Sequence, residues 1–140
     1  MRKTIVAACI VAASLLGSTA TAAADTCTAT AWWQLTAEDT LTLSVGRDTA
    51  TGTGCAEMLP PVGAEYTLLG VYTVGLPYFN VALAERTDGL ERGEVHIWES
   101  GFFGNFMGTT EAGDSVRTSY TPLRRCAPRC WVTTGTWTRD

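Results

Sequence analysis

The chain has 140 residues, 46% of them hydrophobic, with 10 Lys and Arg against 14 Asp and Glu, one His and five Cys. This length excludes two ordinary domains, and the apolar content excludes a disordered chain. The net charge of −4 leaves no surplus of cations to neutralise phosphates, so nucleic acid is not an expected partner.

Residues 1–24 have the pattern of a secretory signal peptide. Arg2 and Lys3 precede an apolar run over residues 4–16, and small residues in an A-x-A pattern follow it. We expect cleavage after Ala24, with Ala22 as the alternative. The apolar run is too short to remain as a permanent membrane anchor. The sequence therefore predicts a secreted, extracellular protein.

Four cysteines remain after the predicted cleavage, namely Cys27, Cys55, Cys126 and Cys130. An even number in a short exported chain predicts two disulfides, each stabilising by roughly 2–4 kcal/mol. The sequence leaves all three pairings open: Cys126 and Cys130 either close a small loop or each reach back to one of the other two. Because no CxxC occurs and the one histidine is distant, we expect no metal and no cofactor.

The rest of the chain, 25–140, forms one predicted domain in which short β-prone runs alternate with turn residues. In chain order the predicted strands cover residues 28–35, 40–45, 49–53, 65–74, 78–85, 94–99, 102–107, 115–121 and 131–137. The short connections favour antiparallel neighbours. We predict an all-β fold, a single antiparallel meander of about eight strands closed into a barrel, with a β-sandwich as the alternative.

Residues 66–84 carry no charge and are nominally long enough to span a membrane. Gly70, Gly75, Pro77 and Asn80 interrupt the run, which is typical of short buried strands. We therefore predict two core strands here.

Several motifs between residues 31 and 120 occur in the order found in one family of barrels. They are Thr51-Gly-Thr53, Tyr66-Thr-Leu-Leu-Gly-Val-Tyr72, Tyr78-Phe-Asn-Val-Ala-Leu83, Trp98-Glu-Ser-Gly101 and Gly108-Thr-Thr-Glu-Ala112. Together they resemble the avidin/streptavidin family. The resemblance implies a closed meander barrel that binds a small ligand, and it carries Leu35 and Trp98 over as pocket residues. The chain departs from the family pattern at the opening ligand segment, at Gly54 in place of a ligand tyrosine, and in lacking the late aspartate.

Aromatic residues are the strongest indication of function, because tryptophan combines large apolar area with an N–H donor. The adjacent Trp32 and Trp33 must point to opposite faces of a strand. We expect a non-enzymatic binding protein whose ligand-binding residues are Trp33, Leu35, Trp98 and Phe103. Its partner would be a small-molecule ligand or an extracellular protein, and its oligomeric state is left open.

A small secreted enzyme is a further alternative, because Glu94, His96 and Trp98 share one predicted strand face and a carboxylate beside an imidazole can form a general base. No nucleophile motif accompanies this pair. A carboxylate pair for glycoside hydrolysis could also come from the acidic residues of this region, which are Glu85, Asp88, Glu91, Glu94 and Glu99. We expect these instead to be solvated around a hairpin turn.

A basic loop near the carboxyl end supplies the main alternative function. Arg125, Pro128 and Arg129 lie beside two cysteines in an otherwise acidic chain. A loop ordered in advance by proline and a disulfide loses less entropy on binding. The alternative is therefore a secreted protease inhibitor that presents the loop at residues 124–130.

Overall fold

Alternation of apolar and polar residues places most of the chain in β-strands. The computed structural model describes residues 25–71, 74–75, 78–79, 81–98 and 101–140, and the predicted signal peptide lies outside them. The strands are β1 (Thr26–Leu35), β2 (Thr40–Val45), β3 (Ala64–Val71), β4 (Val74–Gly75), β5 (Tyr78–Phe79), β6 (Val81–Arg86), β7 (Glu91–Trp98), β8 (Gly101–Thr109), β9 (Ser115–Ala127) and β10 (Cys130–Arg139). One turn of 3-10 helix covers Arg47–Thr49, and a short helix, α1, covers Cys55–Met58.

Eight of these strands close into a barrel in the order β1-β10-β9-β8-β7-β6-β3-β2, with β2 pairing back to β1. Every pairing is antiparallel, and β4 and β5 form a separate two-stranded sheet in the connection between β3 and β6. The prediction of an all-β, closed antiparallel meander is therefore confirmed. In the described part of the chain, no helix is long and apolar enough to cross a membrane.

Strand alternation determines which side chains fill the barrel. In β2, Leu41 and Leu43 are fully buried, whereas Thr40 and Thr42 lie on the outer face. The interior is occupied by rings that we call the aromatic column, formed by Trp33, Tyr66, Phe102, Phe106, Tyr120, Trp131 and Trp137. Trp33 lies near its centre, with its ring centroid 4.9–5.0 Å from those of Tyr66, Phe102 and Tyr120.

Gly135 makes room for the end of this column. A Cβ at this position would lie 2.4 Å from Cη2 of Trp137 and 3.1 Å from Cε1 of Tyr120. Any side chain here would overlap the indole, so this inward position of β10 requires glycine.

The two ends of the barrel differ in how they are covered. At the helix end, which comprises residues 46–63, 87–90 and 110–114, α1 and the turns lie across the interior. At the hairpin end, where residues 36–39 and 127–130 form two of the described turns, Leu35 N donates to the Arg129 carbonyl at 2.8 Å.

The predicted third strand over residues 49–53 is wrong. Thr51 makes only an isolated bridge to Thr28, and the chain then turns through Gly52 and Gly54, both with positive φ, into α1. Strand β2 pairs directly with β3 instead. Residues 46–63 are therefore used to cover the helix end.

Both disulfides are present, as predicted, with the pairings Cys27–Cys55 and Cys126–Cys130. The first ties α1 to the beginning of β1. The second closes the hairpin between β9 and β10.

The two disulfides should differ in their contribution to stability, because their sequence separations are 28 and 4 residues. A larger loop removes more entropy from the unfolded chain, so replacing Cys27 and Cys55 with alanine should cost about 3–4 kcal/mol, against about 2 kcal/mol for Cys126 and Cys130. Urea denaturation of the two double variants measures the difference. Equal losses would show that loop closure does not govern their effect.

Candidate functional site

The structure separates the four predicted ligand-binding residues into two pairs. Trp33 is fully buried and Leu35 is 3% exposed, both inside the barrel. Trp98 and Phe103 lie on the outer face of β7 and β8. The four residues therefore do not line one pocket.

Trp98 and Phe103 form an outer aromatic surface together with His96. His96 and Phe103 are opposite each other in the β7–β8 ladder, and their rings stack with centroids 4.4 Å apart and planes at 9°. The indole of Trp98 meets Phe103 edge to face at 5.5 Å. Trp98 remains 36% exposed, so an apolar ring is available at the surface beside polar groups.

The absence of a side chain at Gly101 leaves room for the Trp98 indole against the sheet. It pairs with Trp98 across the ladder, and a Cβ at Gly101 would lie 2.9–3.1 Å from Nε1, Cε2 and Cζ2 of Trp98. The indole therefore lies over the backbone of Gly101.

Glu94 and His96 share one face of β7, as predicted, and Oε1 of Glu94 lies 2.7 Å from Nε2 of His96. Both side chains face outward, whereas the intervening Val95 is fully buried. Glu94 is 58% exposed at its side chain, so water screens the pair. This arrangement supplies hydrogen-bonding groups at the edge of the outer aromatic surface.

Trp32 provides a second outward indole on the opposite side of the molecule. It is 39% exposed, whereas its neighbour Trp33 is buried, so the predicted division of this pair is confirmed. Strands β1 and β7 are four positions apart in either direction around the barrel. No aromatic contact is found for Trp32 among the described residues, in contrast to Trp98.

The basic hairpin is held against the β1–β2 turn. The Arg129 guanidinium donates to the carbonyls of Leu35 and Thr36 and lies 3.3 Å from the Asp39 carboxylate. Arg125 Nε donates to the carbonyl of Ala127 at 3.3 Å. Presenting Arg129 to a protease cleft would require breaking all three of its contacts.

The hairpin also contains Pro128, the third residue of the predicted inhibitory loop. Pro128 is exposed, and it precedes Arg129, whose φ of 66° is in the left-handed region. The loop is therefore ordered by its disulfide and its own turn, as the inhibitor alternative requires.

A second polar site lies inside the helix end and was not predicted. A cavity of about 40 Å³ is lined by Met58 and Leu59 from the α1 segment and by Arg86, Glu91, Thr118 and Trp137 from the barrel, among others. We call it the helix-end chamber. Its volume is enough for water-sized molecules.

Glu91 is the central charged group of this chamber. It is 6% exposed, its Oε2 accepts from Tyr66 Oη at 2.9 Å, and it lies 3.4 Å from Arg86 Nη1. Arg86 Nε is also bonded to Asp88 at 2.7 Å. Burial raises the pKa of Glu91 to about 7, although the Tyr66 hydrogen bond and the Arg86 charge act in the opposite direction.

The expectation that Glu91 is a solvated turn residue is therefore wrong. Glu91 is the first residue of β7 and points to the same face as Val95 and Ile97, both of which are fully buried. Arg86 likewise continues the inward positions of Ala82 and Ala84 in β6. The alternation of the two strands could have identified Glu91 and Arg86 as inward residues. The neighbouring acidic residues and turn signals instead suggested a solvated turn.

Among the described residues, no group of His, Cys, Asp and Glu side chains could hold a metal ion. Comparisons with protein-family models, with curated proteins and with solved structures found no match for this chain.

Proposed function

We propose that this chain is an exported binding protein that acts without catalysis and takes a small organic ligand on the outer aromatic surface. The observation that supports this most directly is Trp98, whose indole lies over Gly101 and contacts Phe103 while the residue remains 36% exposed. An exposed aromatic ring beside polar groups is a common element of ligand sites.

The ligand class follows from the same geometry. A molecule with a flat apolar face, such as a sugar ring or a fused heterocycle, would stack on Trp98. Hydroxyl or N–H groups at its edge would bind the outward Glu94 carboxylate and His96 imidazole, which lie on the same strand face. Export is supported by the amino-terminal signal pattern and by the two disulfides.

The interior of the barrel supports small-ligand binding less well. The aromatic column fills the space around Trp33, so a ligand at Trp33 and Leu35 would have to displace packed rings. An avidin-like ligand position inside the barrel is therefore a different proposal from the surface site, and the same experiment can separate them.

Ligand binding can be measured by equilibrium dialysis of the oxidised protein against biotin, a panel of mono- and disaccharides, and free purines. We expect at least one compound to bind, with affinity reduced about tenfold or more by Trp98→Ala and retained by Trp32→Ala. The two variants form a matched pair because they remove outward indoles of similar exposure from opposite sides of the barrel. Gly101→Ala should also weaken binding, because its new Cβ overlaps the indole.

Four outcomes would contradict the proposal. A flat response across the whole panel would remove the small-ligand function. Binding that Trp98→Ala leaves unchanged would place the ligand elsewhere, and binding of biotin lost in Trp33→Phe would favour the barrel interior. Inhibition of trypsin that is abolished by Arg125→Ala or Arg129→Ala would favour the inhibitor alternative.

A further inference from the structure

The short helix at the helix end covers a buried acid. Residues 55–59, which we call the helix plug, place Met58 and Leu59 over the helix-end chamber, where they are 6% and 8% exposed. Glu91 lines the same chamber, and its Oε1 is buried without a hydrogen-bond partner in the described part of the chain. A buried polar atom of this kind costs free energy, and the cost is greatest when the group is charged.

We propose that Glu91 is a proton-binding site that controls the helix plug: with the carboxyl protonated the plug is closed, and on ionisation it opens and admits water to the chamber. This goes beyond the proposed ligand function and does not depend on it.

The charged groups that face Glu91 set the direction of this effect. Arg86 and the Tyr66 hydroxyl stabilise the ionised carboxylate, as does the opening of the chamber to water. Asp88 beside Arg86 acts against ionisation. Tyr120 approaches from β9, and Glu57 and Glu111 line the same cavity from α1 and the β8–β9 turn. Because one arginine is shared between two carboxylates, Glu91 in the closed state is incompletely compensated.

Few hydrogen bonds hold the helix plug, whose Glu57 carboxylate is paired with Arg139 Nη2 at 2.7 Å. Helix α1 has only four residues, and its N-cap, Gly54, provides no side-chain hydrogen bond. Met58 N and Leu59 N donate to the carbonyls of Gly54 and Cys55 at 3.3 and 3.0 Å. The Cys27–Cys55 disulfide keeps the segment attached to β1 while it opens.

Opening would also widen the path between the chamber and the surface. A groove on the surface shares Glu57, Leu59, Thr110 and Glu111 with the helix-end chamber. Displacement of Leu59 would join this groove to the buried carboxylate. Water entering from the groove would then hydrate the ionised Glu91 carboxylate.

Amide hydrogen exchange tests the proposal on the full oxidised protein at pH 5.5 and pH 8.5, with intrinsic rates corrected. A pKa of about 7 in the closed state and about 4.5 in the open state predicts that protection of Met58 and Leu59 falls about 30-fold between these pH values. The amide of Leu35, which is bonded to Arg129 at the hairpin end, should be better protected than the plug amides at both pH values, because the plug opens without unfolding the barrel.

Three variants make the test specific. Glu91→Gln copies the protonated acid and should keep the plug amides protected at both pH values. Glu111→Gln removes another carboxyl that lines the cavity and should leave the pH dependence as in the wild type. Should Glu91→Gln fail to fold, Tyr66→Phe removes a hydrogen bond that favours the ionised carboxylate and should move the transition to higher pH.

Protection of the plug amides that does not change with pH would overturn the proposal. So would plug amides that are as well protected as Leu35 at both pH values, because the plug would then open only by global unfolding. A wild-type response in Glu91→Gln would assign the effect to another group.

Discussion

Truncation of Trp33 to alanine is expected to lower the free energy of unfolding by about 3–5 kcal/mol, the largest effect of any single substitution considered for the barrel. The indole is fully buried at the centre of the aromatic column. It stacks on Phe102 at 5.0 Å and meets Tyr66 and Tyr120 edge to face at 5.0 and 4.9 Å. Its removal therefore deletes apolar area and several ring contacts together.

The cost should be near the upper end of that range because the site has little freedom to collapse. The neighbouring rings are carried by β3, β8 and β9, whose backbones are fixed by barrel pairing on both sides. A closed sheet cannot contract around a cavity as a loosely packed helix pair can, so much of the deleted volume should remain as a void.

Urea denaturation of the oxidised protein measures this loss, with Trp98→Ala as the control. Trp98 is an outward residue with 36% exposure, so its truncation should cost about 1 kcal/mol or less. If Trp33→Ala and Trp98→Ala proved equally destabilising, the aromatic column would not be the main source of barrel stability.

The closed meander could be predicted from the sequence because its strands alternate strongly and follow each other by short turns. Strand β2 shows this best: Leu41 and Leu43 alternate with threonines, and the observed bounds, Thr40–Val45, match the prediction. Consecutive strands then need only pair with their neighbours, which is the simplest arrangement for antiparallel sheets.

Residues 49–53 were predicted to form a strand, and they do not. Thr51 and Thr53 have the composition of a strand, but whether a strand forms depends on a partner with free hydrogen-bonding groups. Strand β1 leaves such groups free beside residues 26–30, because β2 covers only residues 31–35, but the chain turns away at Gly52 after the single Thr28–Thr51 bridge. The pairing of Cys27 with Cys55 depends on the same non-local geometry and could not be read from cysteine spacing.

The candidate site was predictable strand by strand but not as a whole. Alternation correctly placed Glu94, His96 and Trp98 on one face of β7. Alternation alone does not show whether this face of β7 lies on the same side of the barrel wall as the Trp33 face of β1, because that depends on the register across four strand pairings. Residues from the inner and outer faces were therefore combined into one predicted pocket.

Stability should also depend on pH through Glu91. Its pKa is raised by burial from 4.5 in the reference state to about 7, so between these values the folded protein binds a proton that the unfolded chain has released. Stability therefore falls as pH rises through this interval, and it is greatest below the unfolded pKa. From pH 5.5 to pH 8.5 the free energy of unfolding should fall by about 2 kcal/mol.

The direction of this change distinguishes Glu91 from an ordinary paired carboxylate, whose lowered pKa makes stability fall towards acid. Glu91 instead accepts a hydrogen bond from Tyr66 and lies near the positive charge of Arg86. Together these two interactions are too weak to offset the desolvation of its carboxylate. The same imbalance predicts that Glu91→Gln, which is neutral at every pH, is more stable than the wild type at pH 8.5 and similar to it at pH 5.5.

Urea midpoints measured across this pH range test the prediction, with His96→Gln as a control variant on the same strand as Glu91. His96 is the chain's one histidine and lies on the outer face of β7, so its replacement should leave the slope intact. Loss of the slope in His96→Gln, or its persistence in Glu91→Gln, would show that the buried acid is not responsible. A wild type that becomes more stable with rising pH would mean that Arg86 holds Glu91 ionised in the folded barrel.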